Sequence, residues 1–266
     1  MNIGNVVPIA GFPVHEATPQ DLSNFLLAAL RQGEKVSLLF ANCNFVVQCK
    51  ALLRDMCNEQ VLIVNDGIGL DIAARILRGR SFKANLNGTD FTPYLFRQSE
   101  RPLRVFLLGG RPEVVHKAAN YVTRELGQEV VGWRDGYAGM QDNDAVIEHI
   151  NRAEAEVLLV ALGNPRQEEW ILHNRKALDA GVVAGVGALF DFWAGDKLRA
   201  PKVVRNLRLE WLFRLCQEPR RLLRRYTVDT LMFFAYCIFQ YRTRPQMAGP
   251  DEGGALSPRS IKRNLE

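Results

Sequence analysis

Apolar residues in this chain come in short unbroken runs: Val36–Ala41, Val61–Val64, Leu103–Leu108, Val130–Gly132, Val157–Leu162 and Val182–Val186. Runs of that length, bounded by turn residues, read as strands buried on both faces. Between them the apolar positions recur at helical spacing, over Phe45–Met56, Ile68–Leu77, Phe91–Arg97, Pro112–Leu126, Asn143–Arg152 and Arg166–Ala177. Two shorter strands, Val6–Ile9 and Phe12–Val14, and a helix over Pro19–Gln32 precede this series. Strand and helix in alternation predict an α/β fold, a parallel sheet with helices on both faces. Sheets of this kind bind ligands in the loops at the carboxyl ends of their strands.

Those loops carry the candidate chemistry. Val61 to Arg75 reads VLIVNDGIGLDIAAR, which places Asp66 where a strand turns into a helix. Three readings suit a carboxylate there: a helix cap by Asn65 or Asp66, part of a dinucleotide turn, or a catalytic base. Ile72 stands where a dinucleotide fingerprint needs its third glycine, which weakens the second reading. In LLGGRPEVVHKAA, Gly109 and Gly110 bring a strand into a helix, so backbone amides and the helix N-terminus suit an anion, unless the glycines serve steric needs alone. VALGNPRQEEW ends a strand at Gly163-Asn164-Pro165 and begins a helix with Gln167 in its first turn. Arg134–Tyr137 and the loop 185–191, which contains Asp191, follow two further strands. Taken singly each is an ordinary turn; together they converge on one edge of the sheet.

Composition changes the picture in two places. At 266 residues and 47% hydrophobic, the chain is long enough for a sizeable core. Its five cysteines show no metal or CxxC spacing and lie mostly in apolar runs, which points to buried, reduced thiols and to the cytosol. The first residues lack a basic segment followed by a long apolar one, so no signal peptide is expected, and no run reaches the roughly 18 apolar residues of a membrane span. Then Lys197–Arg225 holds ten basic residues against two acidic ones. Leu207, Trp211 and Leu215 fall on one helical face there, Glu218-Pro219 divides one helix from the next, and Thr227–Tyr241 is apolar and aromatic. Such a segment suits an anionic membrane surface, or packing on its own domain or a sister subunit. The organisation expected is a Rossmann-like domain over 1–195, a basic helical appendage over 196–244 and a disordered tail over 245–266. Nucleic acid is not expected, because apolar residues interrupt the basic run and no reader motif is present.

Seven blocks, NDGIGLDIAARILRG, NLNGTDF, LLGGRPE, GYAG, ALGNPRQEEWI, GVGALFDFWAG and RAPKVVRNLRLEWLFRLCQEPRRLLRRY, resemble in order the WecG/TagA/CpsF glycosyltransferases, glycosyltransferase family 26. The resemblance covers roughly residues 6 to 240. It implies an inverting transfer of a sugar from a UDP-sugar to a polyprenyl-diphosphate-linked sugar at the cytoplasmic membrane face, without metal or other cofactor. It also implies a Rossmann-like domain closed by a C-terminal helical appendage that meets the membrane. Matched block by block, Asp66 falls on the family's proposed general base, Gln167 on a residue implicated in substrate binding, and Asn42 on an active-site asparagine. Arg214, Arg221 and Arg224 match appendage arginines proposed to meet the diphosphate. Asn87, Asp90, Gly109, Gly110, Asn164 and Asp191 are the remaining substrate-binding candidates. Phe40-Ala41-Asn42 and Asn85 depart from the teichoic-acid pattern, and the wording is closer to exopolysaccharide members of the xanthan-type glucosyltransferase kind. A non-catalytic nucleotide-sugar-binding module is the competing reading.

Overall fold

The computed structural model describes residues 3–243, so the tail expected over 245–266 lies outside the described residues. Eight strands form one sheet in the order β1-β2-β4-β3-β8-β7-β5-β6: β1 (Val6–Ile9), β2 (Phe12–His15), β3 (Val36–Ala41), β4 (Val61–Asn65), β5 (Arg104–Gly109), β6 (Glu129–Arg134), β7 (Val157–Ala161) and β8 (Val182–Gly185). Every neighbouring pair is parallel except β1 against β2. The expected Rossmann-like α/β class is the class observed.

Strand alternation builds two cores. Leu38, Leu62, Val105, Leu107 and Leu159 face one layer; Leu39, Ile63, Phe106, Leu108 and Leu158 face the other. Helices α1 (Pro19–Gln32), α5 (Gly88–Gln98), α6 (Pro112–Arg124) and the short α9 (Leu189–Trp193) cover the first face. The second is covered by α2 (Cys43–Gln48), α4 (Ile68–Arg78), α7 (Asn143–Arg152) and α8 (Arg166–Asn174). Local chemistry sets the helix limits. Thr18 and Asp21 form a reciprocal capping box before α1, and Gly33 closes it in the left-handed conformation.

The helix expected over Phe45–Met56 is three pieces, because α2 ends at Cys49, a 3-10 turn follows over Lys50–Leu52, and α3 (Leu53–Met56) resumes. Of the five cysteines, Cys49 and Cys237 are buried, Cys43 is half-buried, and Cys57 and Cys216 are exposed.

After residue 195 the chain forms α10 (Lys202–Asn206), α11 (Glu210–Gln217), α12 (Pro219–Tyr226) and α13 (Val228–Thr243). The helix boundary expected at Glu218-Pro219 is where α11 gives way to α12. The single face expected for Leu207, Trp211 and Leu215 is not continuous, because Arg208 breaks the helix at φ +60°. A non-glycine residue there is unusual and needs an outside hold, which the ion pair from its guanidinium to buried Asp71 supplies. α13 then packs against α2 and α4, and its Phe233 and Cys237 are buried with Phe45 and Leu70 in the second core.

Gly109 ends β5 at φ +122°, and a Cβ there would lie 2.4 Å from the Ala161 carbonyl oxygen of β7. Gly109→Ala therefore meets both backbone strain and a clash that no side chain can relieve. It is expected to lower unfolding free energy by more than about 2 kcal/mol. Gly127→Ala, at positive φ in open space, should cost only about 1 kcal/mol, and urea titration of the two variants measures the difference.

Candidate functional site

Because seven strands share one direction, the ends of β3, β4, β5, β7 and β8 open on one edge, and backbone hydrogen bonds stitch their loops together. Asp66 N–H donates to Ala41 at 2.7 Å, Gly110 N–H to Ala161 at 3.1 Å, Gly136 N–H to Gly110 at 2.8 Å and Val186 N–H to Val160 at 2.8 Å. Connections leaving β3 and β5 run to opposite edges of the sheet, and the crevice between such diverging loops is the usual ligand position.

Asn42 and Asp66 meet at this edge, just past the adjacent ends of β3 and β4. Asn42 caps α2, its Oδ1 accepting from Phe45 N–H at 3.1 Å, while its Nδ2 donates to Asp66 Oδ2 at 3.4 Å. Asp66 does not cap α4: the cap position is Gly67, with no side-chain hydrogen bond, and Asn65 is turned away to donate to Ala84 O at 2.8 Å. The capping alternative for either residue is thus set aside by where their side chains point. Gly67, at φ +92°, makes the turn that presents Asp66, and its N–H donates to Asn85 Oδ1 at 2.7 Å. Gly69 lets α4 pass close to Cys43, whose Sγ would lie 2.1 Å from a Cβ there.

Burial pushes the Asp66 carboxyl up from its ordinary range. The Asn42 amide and the charges of Arg225 and Arg214 pull it back only in part, and Glu210 pushes the same way as burial. These charges arrive from the C-terminal helices. Arg225 reaches Asn42 Oδ1 at 3.5 Å from α12, and Arg214 of α11 lies over the Phe192 ring, 5.7 Å from its centroid. Arg225 was not among the arginines expected to act. Its signal is the three-residue step from Leu222, the buried residue by which α12 docks. Arg221 pairs with Glu218, and Arg224 is exposed.

The other expected residues divide by what they touch. Asn87 caps α5 and donates to Asp90 Oδ2 at 2.9 Å; Asp90 receives Arg199 at 2.7 Å and Arg205 at 3.3 Å. Asp191 holds Lys197 at 2.7 Å. These contacts tie the sheet domain to the basic segment. Gly109 answers the steric demand described above, and the Gly110 N–H is committed to Ala161. The Asn164 Nδ2 is buried without a hydrogen-bond partner beside the same edge. Gln167 is buried, and both ends of its amide bind protein: Nε2 donates to Glu168 Oε1 at 2.7 Å and Oε1 accepts from Gly187 N–H at 3.0 Å. Around Arg134–Tyr137 the Asp135 carboxylate accepts from Tyr137 and Gly139 N–H, as an ordinary turn does. A cleft of about 1370 Å³ between the α3 segment and α8 contains none of these residues. Among the described residues no three His, Cys, Asp or Glu side chains group as metal ligands.

A carboxyl at a strand end, flanked by an amide and approached by guanidinium groups, is suited to proton abstraction beside a negatively charged leaving group. The family model described as Glycosyl transferase WecG/TagA/CpsF family matches residues 7–247, spanning both the sheet domain and the C-terminal helices. The chain belongs to this family. Glycosyl transfer is accordingly its class of reaction, and the crevice at Asp66 lies within the matched residues. No helix among the described residues is long and apolar enough to cross a membrane.

The raised carboxyl of Asp66 has a consequence for stability independent of turnover. A carboxyl whose folded pKa exceeds its unfolded value contributes most below the unfolded value, and that contribution is lost as pH rises through the folded one. Asp66→Asn, which keeps the shape without the charge, should unfold at a higher temperature than wild type at pH 7. The difference should vanish near pH 3.5, as thermal melts at the two pH values would show.

Proposed function

We propose that this glycosyltransferase moves a sugar from a UDP-sugar to a polyprenyl-diphosphate-linked sugar with inversion, in cell-surface or exopolysaccharide synthesis. The observation that carries the reading is the convergence of Asn42, Asp66, Arg214 and Arg225 at one strand edge. Asp66 takes the proton of the acceptor hydroxyl as that oxygen attacks the anomeric carbon. The bond from that carbon to the UDP oxygen breaks on the opposite face. Burial makes the carboxylate more basic than a free one, which favours proton transfer, and Asn42 fixes its orientation. Arg225 and Arg214, with Arg221 and Arg224 further along α12, offer planar donors to the departing diphosphate. That charge compensation needs no metal, so the reaction is expected to survive chelation. Asn164, with its uncommitted amide, is a candidate donor to the substrate, while Gln167 acts by holding the loop after β8.

The acceptor's lipid tail requires the protein to work at a membrane surface, and the C-terminal helices suit one. Leu198, Val203, Leu207, Leu223 and Leu231 are each more than half exposed, interleaved with Lys202, Arg220 and Arg224. Exposed aliphatics beside cations favour the interface of an anionic bilayer. The location proposed is the cytoplasmic face of the inner membrane, without spanning it. A homo-oligomer is compatible with the exposed Ile68, Ile72 and Ile76 along α4.

The decisive assay supplies a panel of UDP-sugars and a lipid-diphosphate sugar acceptor, in the presence of a chelator. Asp66→Asn should lower kcat at least about a hundredfold with UDP affinity little changed. Arg225→Ala should lower it about as much. Wild-type turnover in Asp66→Asn would remove Asp66 as the base, and nucleotide-sugar binding by the wild type without turnover of any of these donors would instead favour the non-catalytic binding module. For the membrane reading, Leu223→Glu with Leu231→Glu should release the protein from anionic liposomes in a flotation assay while leaving its circular dichroism intact. Undiminished flotation would move the contact to another surface.

A further inference from the structure

Glu168, at the start of α8, is 1% exposed, and the transfer chemistry above does not use it. Its Oε1 accepts from Gln167 Nε2 at 2.7 Å, and Gln167 Oε1 accepts from Gly187 N–H at 3.0 Å. A side-chain amide has one accepting end and one donating end, and only the accepting end can serve a backbone N–H. By accepting from the donating end, Glu168 selects the orientation in which Gln167 can hold Gly187. A flipped amide would set oxygen against carboxylate and N–H against N–H. Gly187, at φ +56°, is the turn that carries β8 into α9 and its Asp191–Lys197 pair. On the other side Glu168 faces Cys49, at the end of the helix that Asn42 caps. The Glu168 carboxyl therefore lies between the loop after β8 and the far end of the helix whose N-terminus Asn42 caps beside Asp66, which follow the neighbouring strands β8 and β3.

We propose that Glu168 is a positioning residue of the transfer site, fixing the amide of Gln167 and through it the Gly187 turn. Its charge state enters because the second oxygen, Oε2, is buried without a hydrogen-bond partner. The titratable groups facing it are the Cys49 thiol on α2 and Glu169 on its own helix, and neither is cationic. Burial, reinforced by Glu169 and opposed by Gln167, the backbone and Cys49, pushes the carboxyl up to about 7. Below that pH the neutral acid holds Gln167 at little cost. Above it the carboxylate keeps Gln167 on Oε1 but sits out of water with Oε2 unsatisfied and no cation beside it, and the chain gains by opening the turn to let water in.

The inference rests on the proposed transfer only for its rate readout, so the first measurement avoids activity. Hydrogen exchange of the full chain, corrected for intrinsic rates, reports the protection of residues 186–191 between pH 6 and pH 8.5. Wild type should lose protection by about tenfold across that range, as expected for a local opening that becomes easier. Glu168→Gln keeps an acceptor for Gln167 and loses the charge, so it should hold the pH 6 protection throughout. Glu168→Leu, with no acceptor, should be poorly protected at every pH. In the transfer assay the wild-type rate should fall on an alkaline limb that Glu168→Gln lacks. Equal pH dependence in wild type and Glu168→Gln, or wild-type protection in Glu168→Leu, overturns the proposal. Should Glu168→Leu not fold, the comparison of wild type with Glu168→Gln decides alone. If no variant transfers sugar but exchange behaves as stated, the transfer reading fails and the positioning role stands.

Discussion

The Asp66 carboxyl sits half-buried at the end of β4, and the desolvation this imposes is the constraint that the groups around it answer. One amide hydrogen bond from Asn42 at 3.4 Å is too long and too weak to offset that cost alone. Arg214 and Arg225 lower it further, at a distance, without forming an ion pair that would lock the carboxylate. The balance leaves a crowded carboxyl whose proton affinity stays above the ordinary range. Closer guanidinium contact would make it a weaker base, and none would leave it protonated more of the time. The C-terminal helices therefore contribute to the chemistry of a residue on the sheet they cover.

That arrangement depends on how α12 and α13 dock. α13 packs on α2 and α4 and buries Phe233 and Cys237 in the second core, and α12 buries Leu222. A phenylalanine buried to this degree is worth about 3–5 kcal/mol when truncated. Dispersion and apolar burial thus supply the energy that holds α12 against the sheet edge, and the arginines need supply none. Their guanidinium groups are left to be set by geometry. The second core layer and the active edge form one packed body, in which α2 carries Phe45 toward the core and Asn42 toward the site.

Much of this was legible in the sequence for a simple reason. Strands buried on both faces are apolar throughout, so β3, β4, β5 and β7 announced themselves, and a parallel sheet obliges its loops to share an edge. Asp66 was accordingly placed in the right neighbourhood before any contact was known. What could not be read depended on distant partners. Arg208 adopts a left-handed conformation held by Asp71, 137 positions earlier, so the helix through Leu207 and Trp211 looked continuous. Among Arg220, Arg221, Arg224 and Arg225, which one turns inward follows from Leu222 docking, and four arginines around one leucine carry no marker of direction. Asn87, Asp90 and Asp191 were expected to bind substrate, yet Asn87 here donates to Asp90, and the two carboxylates meet Arg199, Arg205 and Lys197.

Those last contacts explain how so basic a segment lies on the domain without collapsing onto the carboxylate it serves. Lys197, Arg199, Arg205 and Arg208 are each matched by Asp191, Asp90 or Asp71 from the sheet domain. Pairs with partial exposure contribute little to stability, and their use here is to fix register. Among the described residues, Lys202, Arg214, Arg220, Arg224 and Arg225 have no ion pair within 4.0 Å. Apart from Lys202, the segment's cations before residue 209 are matched by the domain's own acids, and from there to Arg225, apart from Arg221 with Glu218, they are without an ion pair. On the proposed reading, a diphosphate would meet Arg214, Arg224 and Arg225 without their abandoning a carboxylate, whereas Arg221 would have to leave Glu218. The acids that anchor the segment are what leave those later arginines available.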